Sequence, residues 1–153
     1  MMLGSVLDAL SFTNGKLGAV HGFAHPIGIK HDLPHGLICG LLLPYVMEYN
    51  ASLDHVIEKY AWMGDLFFNQ KILTDCGDCP KNFPNDKRGK AKWVIEKVKD
   101  IFFYVGIPQH LKDVGIMESD IEEIVKDTTG SSLSNNPRDT DKNSLKEILT
   151  NAL

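Results

Sequence analysis

Four of the six histidines in this 153-residue chain fall between positions 21 and 35, at His21, His25, His31 and His35. Pro26, Gly28, Pro34 and Gly36 punctuate them, and an apolar run follows at once. Imidazole is the usual side chain for metal ligation and for proton transfer near neutral pH. His21 and His25 stand at i and i+4, so on a helix both rings would leave one face. His35 opens the next segment after a Pro/Gly-rich turn, from which it can swing back toward the first pair. A group of surface or turn histidines is the plain alternative, and composition alone does not exclude it. Four imidazoles beside a segment patterned for burial favour a metal or catalytic site.

The elements that must position these residues read as helices. Residues 2–24 carry Leu3, Val6, Leu7 and Leu10 at spacings of three and four, with Ala9 and Phe12 widening the stripe. Asn14-Gly15 is a turn signal that breaks or bends this segment. Pro26 disfavours helix at the residue before it, so the segment is expected to end at His25, leaving that ring at a helix end facing a cleft. Residues 35–49 form a second helix, apolar almost all round through Leu37, Ile38, Leu41, Leu42, Val46 and Tyr49, as a central helix should be. Pro44 is expected to kink it and Asn50 to end it in a left-handed conformation. His35 lies in its first turn, where the helix N-terminus favours a neutral, metal-binding imidazole over a charged one. Cys39 reads most simply as a buried small hydrophobe.

Residues 52–68 continue as helix, with Ser52 as cap and His55 on the polar side. Gln70 to Gly89, with two prolines and two glycines, is the least structured stretch. Its Cys76-Gly-Asp-Cys79 has no second CxxC and no thioredoxin-like context, so it reads as two reduced thiols in a surface loop. Ala91 to Val105 is the clearest amphipathic helix, stopped by Gly106. Gln109 to Asp113 adds one helical turn. Ser119 with Glu122 makes a capping box for a helix carrying Ile121, Ile124 and Val125. Gly130 to Asn136 is a polar loop, after which Asp139 or Thr140 caps a last helix through Leu145, Ile148, Leu149 and Ala152. There are no strand patterns and no internal repeats. The expected fold is all-α, a single helical bundle over residues 1–153 packed on its two central helices.

Length suits one domain with a real core. A net charge of −4 and a pI near 5.8, with no basic patch, argue against nucleic-acid and membrane-surface partners. The N-terminus lacks a basic n-region, and Leu37 to Met47 is too short to span a bilayer and is broken by Pro44. Three cysteines suggest no disulfide framework. A cytoplasmic setting is expected.

The segments GAVHGFAHPIG (Gly18 to Gly28), PHG (Pro34 to Gly36) and LLLPYVMEYN (Leu41 to Asn50) resemble the signature region of the iron-containing alcohol dehydrogenases, the group that shares its fold with dehydroquinate synthase and glycerol dehydrogenase. The resemblance resumes at GIP (Gly106 to Pro108), LKDVGI and SNNPR (Ser134 to Arg138), and is poor in the intervening third. In that family the first and last histidines of the signature, fourteen positions apart, bind the metal, which implies that role for His21 and His35. The histidine four after the first lies beside the metal and the nicotinamide and aids proton transfer, which implies both a catalytic and a cofactor-binding role for His25. His31 matches no family ligand.

The resemblance implies a C-terminal helical domain holding Fe(II) or Zn(II), with NAD or NADP carried by an N-terminal α/β domain. No GxGxxG or similar phosphate loop follows a strand pattern here. The dinucleotide domain and the family's remaining ligands, an aspartate and a histidine, are therefore expected upstream of this chain. On its own the chain is expected to be inactive. Two imidazoles leave a divalent ion mostly to water, and recruitment of His25 or His31 would supply a third ligand. The expected partner is an upstream dinucleotide-binding fragment, or a second copy of the chain meeting the uncovered N-terminal stripe. A stand-alone helical metal-binding module without redox catalysis, and a purely structural or interaction domain, are the other readings open at this point.

Overall fold

The computed structural model describes residues 2–69 and 83–153. Seven α-helices lie among the described residues: α1 (Met2–Gly15), α2 (Ala19–His31), α3 (His35–Asn50), α4 (Asp54–Asn69), α5 (Lys87–Tyr104), α6 (Ile121–Asp127) and α7 (Lys142–Asn151). Short 3₁₀ turns at Leu111–Val114, Glu118–Asp120 and Leu133–Asn135 join them. The described residues contain no strand, so the all-α expectation holds.

Helix α3 is the centre. One side of it, with Ile38, Leu41, Leu42, Val46 and Tyr49, joins the main core with α2, the Leu111–Ile116 segment, α6 and α7. Met47 turns the other way and packs with Val94 and Ile95 of α5, backed by Leu43 of α3 and by Tyr60, Met63 and Phe67 of α4. A helix clad on two sides has to be apolar nearly all round, which is the pattern its sequence carries. Helices α4 and α5 pair closely, and α2 lies against both α3 and α6. At the surface Lys30, in the last turn of α2, pairs with Asp120 at 3.0 Å and with Glu123.

The N-terminal segment divides as its turn signal suggested. Helix α1 stops at Gly15, Lys16 takes a left-handed φ of 58°, and extended Gly18 starts α2. No residue of α1 is buried: Leu3, Val6, Leu7 and Leu10 are all more than half exposed.

The expected stop at His25 is wrong. Helix α2 runs through Pro26 to His31 and ends at Asp32, which takes φ 51°. Proline in a helix interior removes one hydrogen bond and crowds the carbonyl four residues back, at a cost of roughly 3 kcal/mol. Burial offsets that cost, because Val20, Phe23, Ala24 and Ile27 continue one helical stripe across the proline, and Phe23 and Ile27 are fully buried. The residue four before Pro26 is Gly22, and a Cβ there would meet Leu133 Cδ2 at 2.9 Å. His25 is therefore mid-helix.

Several caps also differ from expectation. Asn50 is the last residue of α3 in helical conformation and is buried, so it forms no left-handed end. Ser52 donates its hydroxyl proton back to the Tyr49 carbonyl rather than opening α4. Helix α5 starts four residues earlier than expected, since Asp86 accepts the Gly89 N–H at 2.8 Å, so Lys87 to Gly89 are helical. Asp120 Oδ2, and not Ser119, takes a backbone N–H before α6, from Met117 at 2.9 Å. Asp141, beyond both Asp139 and Thr140, caps α7 by accepting the Ser144 N–H at 2.8 Å, while Ser144 Oγ accepts the Asp141 N–H at 2.8 Å. Each of these is a choice among neighbouring Asp, Ser and Thr residues, all chemically able to cap. The Cys76–Cys79 pair lies outside the described residues.

Candidate metal centre

The site is built where α2 begins and α3 begins. His21 is the third residue of α2 and His35 the first of α3. The two imidazoles, far apart in sequence, meet with ring centroids 5.2 Å apart and planes tilted by 50°. Cys39 lies one turn beyond His35, which puts both side chains on the same face of α3. A nitrogen of each histidine and the Cys39 sulfur lie within 4.8 Å of one another, the one such group of His, Cys, Asp or Glu side chains among the described residues.

The start of α2 is held in place from the far end of the chain. Asn136, in the loop before α7, is buried, and its Oδ1 accepts the Ala19 N–H at 3.2 Å. That N–H belongs to the first turn of α2 and has no acceptor within the helix. Asn136 Nδ2 donates to Asn50 Oδ1 at 2.7 Å and to the Arg138 carbonyl at 2.7 Å. Arg138 in turn donates to the Tyr49 carbonyl at 3.1 Å, and its guanidinium lies 3.9 Å from the centre of the Tyr49 ring. One loop therefore ties the end of α3 to the start of α2, two residues before His21. Gly18 permits the approach, since a Cβ there would stand 3.0 Å from Asn136 Oδ1.

Electrostatics favour the ligating form of His21. Burial lowers its pKa, and a positive charge on His35 lowers it further, so the neutral ring is preferred. Burial pushes the Cys39 thiol up, so without a cation nearby it holds its proton. His21 and Cys39 both face a largely apolar cavity of about 550 Å³ whose walls include Val20, Leu43, Phe102 and Ile107.

The structure brings His21 and His35 together, as the sequence led us to expect. His25 is exposed on α2, one turn after His21, and does not join the three-donor group. His31 is likewise apart, and its Nε2 is buried without a hydrogen-bond partner. Neither potential third ligand weighed from sequence stands in the cluster; Cys39 does. It is half-buried, with its sulfur turned to the imidazoles, and not simply a core hydrophobe. The signal that could have found it is its i+4 spacing from His35 on a segment already read as helix. Two imidazoles and a thiol are a donor set that borderline divalent metals such as zinc and iron(II) accept, so the residues present fit a metal of that class.

Comparison with known proteins adds the following. Residues 1–153 match the family described as "Fe-containing alcohol dehydrogenase family, C-terminal". Lactaldehyde reductase of Escherichia coli (strain K12) is 36% identical over 126 residues, covering 82% of this chain and 30% of the relative. 1,3-Propanediol dehydrogenase of Citrobacter freundii is 31% identical over 156 residues, covering 99% of this chain and 36% of the relative. Among solved structures, an alcohol dehydrogenase from Oenococcus oeni superposes with a TM-score of 0.77 at 31% identity, over 95% of this chain and 35% of that one. The chain thus spans only 30% to 36% of the length of these proteins.

Proposed function

This chain belongs to the iron-containing alcohol dehydrogenase family, as its C-terminal part, and we propose that it is the metal-holding helical domain of an oxidoreductase acting on alcohols and aldehydes with NAD or NADP. The observation that carries this reading is the meeting of His21 and His35, 5.2 Å between ring centres, at the fourteen-residue spacing that the family resemblance assigns to metal ligands. His21 and His35 would hold Fe(II) or Zn(II). Once bound, the metal supplies Lewis-acid polarisation of the substrate oxygen.

The chain's other residues then have definite tasks. His21, kept neutral by burial, offers a nitrogen lone pair at no cost in deprotonation. The apolar cavity beside it takes the carbon skeleton of the substrate and excludes water from the reacting carbon. His25, exposed one turn further along α2, takes the proton lost by an alcohol on oxidation and returns it on reduction. This sequence has no glycine-rich phosphate loop, so a nicotinamide would be held by the family's N-terminal portion and, when bound there, would supply hydride exchange with the substrate carbon. The arrangement works only when that portion supplies the cofactor and the remaining ligands, and the cytoplasm is the setting we assign to it.

Anaerobic titration calorimetry with Fe(II), and separately with Zn(II), tests the ligand assignment. Binding should be weak in the chain alone and weaker still in His21→Ala and in His35→Ala. Tight stoichiometric binding that survives both substitutions would sink it. With the family's N-terminal portion supplied as a second polypeptide, His25→Ala should lower turnover more than it lowers metal content.

A further inference from the structure

We infer that Cys39 is a third metal donor, so that this chain closes a two-histidine, one-thiolate site from α2 and α3 alone. The inference rests on the ligand roles of His21 and His35 proposed above, and it goes beyond them in adding a sulfur. The placement is specific. Cys39 is on the His35 face of α3, one turn further in, and its Sγ is within 4.8 Å of a nitrogen on each ring. Metal–nitrogen bonds of about 2.0 Å and metal–sulfur bonds of about 2.3 Å in tetrahedral array put neighbouring donors about 3.5 Å apart. The observed spacing exceeds this by little more than 1 Å, and the two helices that carry the donors already pack against each other.

The chemistry of the set also differs from that of imidazoles and carboxylates. A thiolate is a soft ligand and biases the site toward zinc, or cobalt(II) in its place, over iron(II). As the sulfur–metal bond forms, the thiol proton leaves to solvent, so each metal bound releases one proton from Cys39. The metal's positive charge compensates the burial that otherwise keeps this thiol protonated. Since Cys39 also lines the apolar cavity, the sulfur would hold the metal at the cavity wall, next to the space left for a substrate.

Cobalt(II) titration followed by absorption spectroscopy tests the inference. It is run on a Cys76→Ser/Cys79→Ser background, so that Cys39 is the single thiol of the chain. The expected result is a near-ultraviolet thiolate-to-cobalt charge-transfer band that saturates with one cobalt per chain. Adding Cys39→Ser should abolish that band and weaken cobalt binding by about tenfold or more, the scale on which even outer-shell partners act. Far-ultraviolet circular dichroism checks that each variant keeps its helices. Cobalt bound with no thiolate band, or with affinity unchanged by Cys39→Ser, overturns the third donor and leaves the histidine pair standing. Cobalt binding, band included, that survives both His21→Ala and His35→Ala overturns the histidine roles as well. No cobalt uptake at all also refutes the three-donor site, while the calorimetric arm still decides the weaker two-histidine one.

Discussion

Asn136→Ala is the substitution that most directly probes how the fold holds its site. The side chain is 7% exposed and serves three partners at once: the Ala19 N–H, the Asn50 amide and the Arg138 carbonyl. Truncation strands two of them in the interior, since Ala19 is 0% and Asn50 5% exposed. The Arg138 carbonyl, on a half-buried residue, can turn to water. A buried polar group left without a partner costs roughly 1–3 kcal/mol, and water entering the vacated space recovers part of that. The expected loss is therefore about 2–4 kcal/mol, a large share of the 5–15 kcal/mol typical of a domain. Urea unfolding measures it as a fall in midpoint at unchanged slope. Amide hydrogen exchange supplies the local reading, because the first turn of α2 should lose protection at Ala19 before the core does. Asn136→Asp keeps an acceptor for Ala19 but sets a carboxylate oxygen against the Asn50 and Arg138 oxygens that Nδ2 serves, so at neutral pH it should not rescue the loss seen in Asn136→Ala. A loss under about 0.5 kcal/mol for Asn136→Ala, the range of ordinary surface changes, would refute the claim that this loop fixes the start of α2.

Other expectations are simpler. Leu149→Ala, at a fully buried position of α7, should cost about 2–5 kcal/mol by urea unfolding. The Asp141 carboxyl is held below the ordinary carboxylate range, first by the Ser144 backbone N–H, so its cap stabilises α7 fully above the unfolded carboxylate pKa and loses that effect as pH falls through the lower folded value. The gap in unfolding midpoint between wild type and Asp141→Ala should accordingly be present at neutral pH and vanish in acid. Helix α1, with Leu3, Val6, Leu7 and Leu10 exposed, should be the face that meets the family's N-terminal portion. Leu7→Glu should weaken co-purification of the two polypeptides while leaving the thermal melt of the chain alone unchanged, and undiminished co-purification would refute this.

The fold was legible where periodicity and burial agree. Helix α3 announced itself by being apolar all round, and the structure places core on two of its sides. The missed boundary at Pro26 has the opposite cause. Proline disfavours helix locally, but the apolar stripe of Val20, Phe23, Ala24 and Ile27 runs through Pro26, and its burial outweighs the local penalty. Cap identities were poorly legible for a different reason. Asp139, Thr140 and Asp141 are all chemically competent, and only the path of the backbone decides which carboxylate faces the free N–H groups of α7.

The site was legible to the extent that its residues announce chemistry in isolation. Histidine does so, and two of the four clustered histidines do meet. Cysteine does not, because a half-buried thiol serves equally as packing, and only the spatial neighbourhood distinguishes the two roles. Asn136 is less legible still. Its hydrogen bonds go to Ala19, Asn50 and Arg138, it stands 117 residues from the backbone N–H it caps, and it looks in sequence like any polar loop residue. Its importance follows from a requirement of helices in general: the first turn of α2 has N–H groups that the helix cannot satisfy, and Ala19 at that end is fully buried. Some acceptor must come from elsewhere in the chain. The loop that brings it also reaches Asn50 at the end of α3, so the two helices that carry His21 and His35 are tied together through one buried amide. A metal site split between two helices needs their relative position fixed before the ion arrives, and a buried, fully hydrogen-bonded polar pair fixes it with a directionality that aliphatic packing lacks.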